Sequence, residues 1–372
     1  RSGTINTSGF ISETETNRNL IWPQNLETYA EMKATDATIR WILALVKFPI
    51  LSAHWMVEAP DDADDQELEA AAFVEHWKEE HLAGGWFNFL RHALMCEEFG
   101  HSVFEKSADL RPVEFQWQSD DETAHDVSRE AFVVSKLGPR LPRTILKWNV
   151  ADADPSQLVS VTQWLGDGRG ETNPEIPASR LVVFTRDQEG DDFRGTSVLR
   201  SAYRDWRYKL DLENLEAIGI ERSTGLPIAY VPNATDDEQD TLENAFRALR
   251  QQENPFLIIP KAKQSAQAPE GWVIDFPNVS GEGGVSPNDA IQRHEAALAR
   301  NVLAEWMRLG HEQTGARATA DVQQDPYWQG IEAEVRFLED VINEQIVAPM
   351  VGWNYDVKRM PRLKAAKIQA KN

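Results

Sequence analysis

Two helical runs too long to belong inside a small globular core dominate this chain. Over residues 196–222, Leu199, Tyr203, Trp206 and Leu210 fall along one face, and Leu215 and Ile218 continue it. Gly219 is the first interruption, and Gly225-Leu226-Pro227 ends the run. A helix of about 27 residues is a rod of roughly 40 Å. The second run covers 286–309. Ser286 is a good N-cap, Pro287 suits the first helical position, and Asp289 completes a capping-box pattern. Ile291, Leu298, Val302, Trp306 and Leu309 form its stripe, and Gly310 ends it. Between the rods the pattern predicts a small unit: a strand at Ile228–Val231, a helix over Thr235–Gln251, strands at Pro255–Pro260 and Trp272–Phe276, and a flexible link at Ser280–Gly284. The first rod carries Arg200, Arg204, Arg207 and Lys209 in its first half and Asp211, Glu213, Glu216 and Glu221 in its second. That order opposes the helix dipole. It suits a helix packed beside a shifted copy of itself, whose acidic band would meet this basic one.

The flanks read as one mixed domain. Residues 1–25 form an extended polar arm. Tyr29, Met32, Ile39, Ile42, Leu43 and Val46 recur at helical spacing up to Pro49, and a strand follows over Ile50–Glu58. Asp61, Asp62, Asp64 and Asp65 lead into a helix that carries Leu68, Ala71, Ala72 and Trp77. Gly84-Gly85 breaks it, and Trp86–Phe99 resumes as helix. Five short strands are predicted next, at Ser102–Lys106, Val113–Trp117, Arg143–Trp148, Val159–Leu165 and Leu181–Phe184. Past Gly310, residues 310–327 read as a mobile loop. A last helix carries Ile331, Val335, Leu338, Ile342 and Ile346 and stops at Pro349. The basic tail, with Lys358, Arg359, Arg362, Lys364, Lys367 and Lys371, has two readings: a solvated terminus, or a contact to DNA.

Composition narrows the function. With 38 Lys+Arg against 60 Asp+Glu, the formal charge is −22, and such a chain repels nucleic acid on average. The single cysteine, Cys96, leaves no disulfide framework and fits a reducing cytoplasm. The longest apolar run, Trp41–Val46, is far too short to cross a membrane, and no signal-peptide pattern opens the chain. The 13 Trp residues fit either extensive subunit contact or a large mixed fold.

No constellation for catalysis emerges. His76 and His81 stand five apart, which turns their side chains away from one another on an α-helix; four is the metal-binding spacing. Of His92, Cys96 and His101, only the first two share a helical face. Gly166-Asp167-Gly168-Arg169-Gly170 lacks the Lys-Ser/Thr of a phosphate loop and reads as a turn. Glu97-Glu98 and Asp191-Asp192 are sequence neighbours that point apart. The expectation is a non-enzyme with no catalytic residue, cofactor or metal. A metal-dependent hydrolase or nuclease is the weaker alternative, and another virion connector or scaffold protein is a further one.

Several segments resemble, in order, those of the bacteriophage portal protein family. Phe99-Gly100-His101-Ser102-Val103-Phe104-Glu105 is similar to the family's strand start. Ile176-Pro177-Ala178-Ser179-Arg180-Leu181-Val182-Val183-Phe184 is similar to its run before the stem. Phe193-Arg194-Gly195-Thr196-Ser197-Val198-Leu199 resembles the opening of the first stem helix, and Pro255–Pro260 a clip strand. Leu309-Gly310 through Thr314-Gly315-Ala316-Arg317-Ala318 resembles the loop after the second stem helix, with Ala316 where Ser is usual. Ile346–Asn354 resembles the final helix.

The resemblance implies an α+β portal fold, nearly the whole chain long. It implies an α/β wing over 1–195, stem helices at 196–222 and 286–309, and a small α/β clip at 223–285. A tunnel loop at 310–327 and a C-terminal helical wing or crown segment at 328–372 complete it. It further implies a head-to-tail connector at one capsid vertex of a virion, assembled in the host cytoplasm as a dodecameric ring. Double-stranded DNA would pass through the ring in genome packaging and ejection. Terminase large subunit, head-completion or adaptor proteins and the major capsid protein would be its partners, with no membrane. Gln313, Thr314 and Arg317 become candidate tunnel-loop contacts to DNA. Lys261 and Lys263 become clip contacts to DNA or a partner, or a solvated strand end. Glu213, Glu216 and Glu295 are candidate channel-lining groups, since an acidic wall lets DNA slide. The alternative for these acids is ion pairing to Arg200, Arg204 and Arg207 between subunits.

Overall fold

The structure, a computed structural model, describes residues 15–368 apart from 120, 165–172, 223–227, 232–234, 238–239, 242–243, 245–256, 261–272, 276–286 and 302–315. It divides into two units, Arg1–Trp206 with Ala296–Asn372, and Arg207–Glu295.

In the first unit, Arg18–Leu20 forms a short 3-10 turn with Leu20 buried and a helix begins at Gln24, so these residues are not the extended arm expected there. The apolar run after it makes two helices, α1 (Gln24–Thr35) and α2 (Ala37–Ser52), where one was expected. Asp36 stands between them in extended conformation and accepts from Thr38 N at 2.7 Å and Ile39 N at 3.0 Å. A capping carboxylate outweighs an unbroken hydrophobic period here. Pro49 lies inside α2 rather than ending it. A proline withholds the N–H due to the carbonyl four residues earlier. That carbonyl, Leu45 O, instead accepts from the Tyr327 hydroxyl at 2.6 Å. The strand expected from Ile50 therefore starts later, as β1 (Trp55–Glu58).

The acidic run opens α3 (Asp65–His76) through a capping box of Asp64 and Glu67. A π-helical turn, Trp77–His81, follows directly. Trp77 is fully buried and its indole donates to Val134 O at 2.7 Å. The turn overturns the reading that His76 and His81 diverge: its i→i+5 winding puts residues five apart on one side and brings their Nε2 atoms to 3.2 Å. The expected helix over 86–99 is split at Leu94 into α4 (Trp86–Ala93) and α5 (Met95–Phe99).

One antiparallel hairpin then replaces two short strands. It consists of β2 (His101–Gln118) and β3 (Ala124–Arg140), with a bulge at Ser107/Ala108. A separate sheet has the order β4 (Ile145–Val150), β5 (Leu158–Gln163), β6 (Glu175–Pro177). The strand β7 (Leu181–Thr185) returns to pair with His101–Glu105. Asp109-Leu110-Arg111-Pro112 resembles a turn, but beyond Glu105 β2 has β3 alone as neighbour. An open edge tolerates proline and charge.

The two long runs are helices α6 (Leu199–Arg222) and α7 (Pro287–Arg300); residues 302–309 lie outside the described residues. Between them, β8 (Ile228–Val231), β9 (Leu257–Pro260) and β10 (Val273–Asp275) form a sheet of order β10-β8-β9. Parallel β8 and β9 need a crossover. Residues 236, 237, 240, 241 and 244 on the way are helical and exposed, as the period predicts.

The loop expected over 310–327 is helical from Ala316: α8 spans Ala316–Ile342. Alanines at 316, 318 and 320 favour helix despite their polar neighbours. Pro349 does not stop the chain either. A second π turn, Asn343–Val347, leads into α9 (Ala348–Asn354). The carbonyl four residues before Pro349, Gln345 O, accepts from Lys106 Nζ at 2.9 Å.

The basic tail is ordered as a strand over part of its described length, with its basic side chains still exposed. It forms β11 (Arg362–Ala365), antiparallel to β1. Arg359 pairs with Glu67 at 2.6 Å, Arg362 with Asp340 at 2.8 Å and Lys364 with Glu58 at 2.5 Å.

Three amides from residues 343–354 stand in for missing strand neighbours. Asn343 donates to Leu363 O at 2.9 Å and accepts from Leu363 N at 2.7 Å, on β11. Gln345 accepts from Val183 N at 2.9 Å and donates to its oxygen at 3.5 Å, on β7. Asn354 accepts from Phe132 N at 2.9 Å and donates to its oxygen at 2.7 Å, on β3. Since β3 and β7 are the outer strands of their sheet, both edges are engaged. Behind them lies one apolar core that includes Phe73, Trp77, Phe89, Phe104, Phe184, Leu338 and Ile346.

Candidate functional site: the long helices and their socket

The helix α6 begins at a junction where three stretches of backbone nearly touch. Gly100 (φ +85°) and Gly195 (φ +62°) face one another there. A Cβ on Gly100 would sit 2.6 Å from Arg194 O and 2.8 Å from Gly195 O. A Cβ on Gly195 would sit 2.6 Å from Arg186 O and closer still to Gly100 O. Only glycine fits both the dihedral angle and the space. Arg186 N donates to Gly100 O and Thr196 N to Arg186 O, each at 2.8 Å. Ser197 Oγ then caps α6, accepting from Leu199 N at 2.9 Å and donating to Glu98 O at 2.6 Å.

Beneath this backbone lie Glu97 and Glu98, both buried, and each goes to different cations, as their adjacency predicts. Glu98 pairs with Lys33 at 2.7 Å and with Lys47. Glu97 accepts from Arg186 Nε at 2.8 Å, and Arg186 Nη2 reaches Glu334 at 3.0 Å. Burial pushes Glu97 up to about 8, and the nearby Glu334 carboxylate raises it further than Arg186 lowers it. For Arg186 burial acts against the charge, but Glu97 and Glu334 more than offset it. The carboxyl of Glu97, on a residue 1% exposed, has no access to a substrate. This is a load-carrying cluster under the helix start rather than an acid/base dyad.

The remaining candidates separate. His101 is buried, with Nδ1 on Arg194 O at 2.9 Å, and burial depresses it to about 4, so the ring is neutral. Cys96 is buried and its thiol is pushed up by burial. His92 bonds to Asn88 O of its own helix at 2.8 Å. Asp192 grips Arg194 at 2.8 and 2.7 Å. Among the described residues no three metal-ligating side chains gather. The glycine run Gly166–Gly170 lies outside the described residues.

Further along α6, the structure brings two of the three acidic candidates together. Lys209, with its side chain 7% exposed, lies 3.2 Å from Glu295 of α7 and 3.7 Å from Glu213. Glu216 is half-buried. Arg207 pairs with Asp211 at 3.4 Å, and Arg200 with Glu15 at 2.5 Å. Tyr208 packs on His294, ring centroids 5.6 Å apart. The organising role of Lys209 was hidden in the basic band, because its burial depends on α7. Arg317 lies in the first turn of α8, a helix rather than the expected loop. Gln313, Thr314, Lys261 and Lys263 lie outside the described residues.

A sequence profile of the family described as "Portal protein of Mu bacteriophage" matches residues 26–372. Among solved structures, the chain is similar to one in the virion of a native gene transfer agent particle. That likeness has 9% identity and a TM-score of 0.53, covering 92% of this chain and 84% of that one. It is also similar to a chain in the neck of the native particle, computed with C12 symmetry. Here identity is 11% and the TM-score 0.50, covering 92% and 85%. An HK97 family phage portal protein from Corynebacterium diphtheriae gives a TM-score of 0.47 at 12% identity, covering 91% and 94%. A comparison with curated proteins returned no match. The mixed helix-and-sheet fold read from the sequence is the one found.

Proposed function

Because the chain belongs to the portal protein family of Mu bacteriophage, and is thus a portal subunit, we propose that it is a passive one, conducting DNA without chemistry of its own. The observation that carries this is the pair of long helices, α6 and α7, bracketing a strand–helix–strand insertion in a chain of net charge −22. Copies close a ring, twelve in number by the C12 symmetry of the similar particle neck. The segment 1–195 serves as wing, α6 and α7 as stem, 223–285 as clip and the stretch before α8 as tunnel loop. Energy for translocation comes from a docked terminase, and head-completion proteins later replace it; the ring sits at a capsid vertex after assembly in the host cytoplasm. Negative-stain imaging with mass photometry tests the ring. Twelve-membered particles with a central hole are expected, and a monomer at every concentration sinks the reading.

Glu213, Glu216 and Glu295 line the channel in this proposal. Arg200, Arg207 and Lys209 each meet an acid of their own chain, so these three do not need a neighbour's acids. Gln313, Thr314 and Arg317 touch DNA in transit, and Lys261 and Lys263 meet DNA or the docked partner. The double variant Glu213→Lys, Glu216→Lys adds two bases per copy, and each base that neutralises a phosphate deepens binding by counterion release. In a motor-driven packaging assay the rate is expected to drop roughly fivefold or more, with most of the loss recovered at higher salt. Unchanged packaging and ejection in rings that still form would remove these acids from the lining.

A further inference from the structure

The π turn after α3 supplies what α-helical spacing denies. His76 and His81 approach with Nε2 atoms 3.2 Å apart, ring centroids at 4.9 Å and planes crossing at 76°. We propose that the two imidazoles form a bidentate site for a divalent transition-metal ion of the zinc class.

The geometry favours a shared ion over a plain hydrogen bond. A tetrahedral zinc about 2.05 Å from each nitrogen holds the two roughly 3.3 Å apart, with ring centroids near 5 Å. A straight N–H···N bond at the same nitrogen separation would hold the centroids about 5.5 Å apart. The observed 4.9 Å belongs with the converging arrangement. The site is also partly built in advance. His76 stacks on Phe115 of β2, centroids 5.5 Å apart and planes at 30°, which fixes one ligand. The turn that carries His81 is stabilised by the burial of Trp77 at its start.

The surroundings suit a hydrated ion. Both histidines are half-exposed, so water can complete the coordination. Glu80 brings negative charge on the same turn, and Arg111 is the positive group facing His81. Asp109 lies 3.5 Å from the Arg111 guanidinium and offsets its charge. Two imidazoles select zinc, nickel or copper over magnesium and calcium, which take oxygen ligands. In the absence of metal the pair falls back to an imidazole–imidazole hydrogen bond, so the fold does not depend on occupancy.

The test is equilibrium dialysis of chelator-stripped full-length protein against zinc chloride, with magnesium chloride in parallel. One zinc per chain is expected at the histidine pair, with no magnesium held there. His81→Ala and His76→Ala each weaken that binding by roughly tenfold or more. His92→Ala, on a histidine bonded to its own helix, leaves it unchanged. Added zinc raises the melting temperature of the parent but not of His81→Ala. Because His76 also packs on Phe115, His81→Ala decides the matter if the other variant folds poorly. Zinc uptake that is absent, or that is the same in His81→Ala as in the parent, overturns the site.

Discussion

Gly195→Ala is expected to leave little folded protein. A left-handed backbone costs a non-glycine residue about 1–2 kcal/mol. The added methyl would also collide with two carbonyl oxygens, those of Gly100 and Arg186. These belong to backbone that is itself hydrogen-bonded, Arg186 N to Gly100 O and Thr196 N to Arg186 O, so neither oxygen moves alone. Forced overpacking of this kind adds about 1–3 kcal/mol. The sum, roughly 2–5 kcal/mol, is a large share of an ordinary domain's stability. Gly330→Ala is the control. It sits in α8 with nothing within 4 Å of the new Cβ, and is expected to be neutral or stabilising by about 0.5–1 kcal/mol. Soluble yield and urea midpoints compare the two, and near-parental stability of Gly195→Ala would contradict the close approach.

The second large effect is one of pH. The Glu97 carboxyl titrates near 4.5 when free and is raised to about 8 in the folded chain, chiefly by burial and then by Glu334. A folded state that binds more protons than the unfolded one loses stability as pH rises. The loss from this group runs from about pH 4.5 to about pH 8 and levels off above. Glu97→Gln imitates the protonated form and keeps an oxygen for Arg186. It is expected to be roughly neutral near pH 5 and more stable than the parent by several kcal/mol, about 2–4, above pH 8. Arg186→Met should act the opposite way, since it strands the buried Glu97 and the half-buried Glu334, at a cost of about 3–5 kcal/mol. Urea unfolding of parent and Glu97→Gln at pH 5.5, 7 and 8.5 reads this directly. Parallel slopes for the two proteins would show that another group sets the dependence.

The parts of this fold legible in the sequence were those governed by local period and local caps. The stripe from Leu199 to Leu210, the helix start at Pro287 and the Asp64–Glu67 capping box all depend on neighbours within a turn or two. What escaped depends on partners far along the chain. Pro49 and Pro349 look like helix ends because their lost hydrogen bonds are visible in sequence. The side chains that compensate, Tyr327 and Lys106, are not. The hairpin strand at 124–140 hid because its pairing, not its alternation, makes it a strand. The approach of His76 and His81 is not legible from spacing, because a spacing of five diverges on an α-helix and converges on a π turn. Around the candidate site, the acids Glu213 and Glu295 were visible, but Lys209 became their centre only once α7 lay beside α6. Glu97 stands beside Glu98 in sequence, while the groups that act on it, Arg186 and Glu334, come from far along the chain.

The amides at 343, 345 and 354 also set a schedule for biosynthesis. The strands β3 and β7 leave the ribosome long before the side chains that close their edges. Until then a nascent chain offers two open strand edges at once, and the carbonyl of Leu45 awaits Tyr327. Half-made copies on one polysome are therefore the species at risk of sticking to each other by strand pairing. A finished subunit is blunt on those sides. Copies that gather at high local concentration then meet at Phe132 and Val183 backbone that is already hydrogen-bonded within the chain.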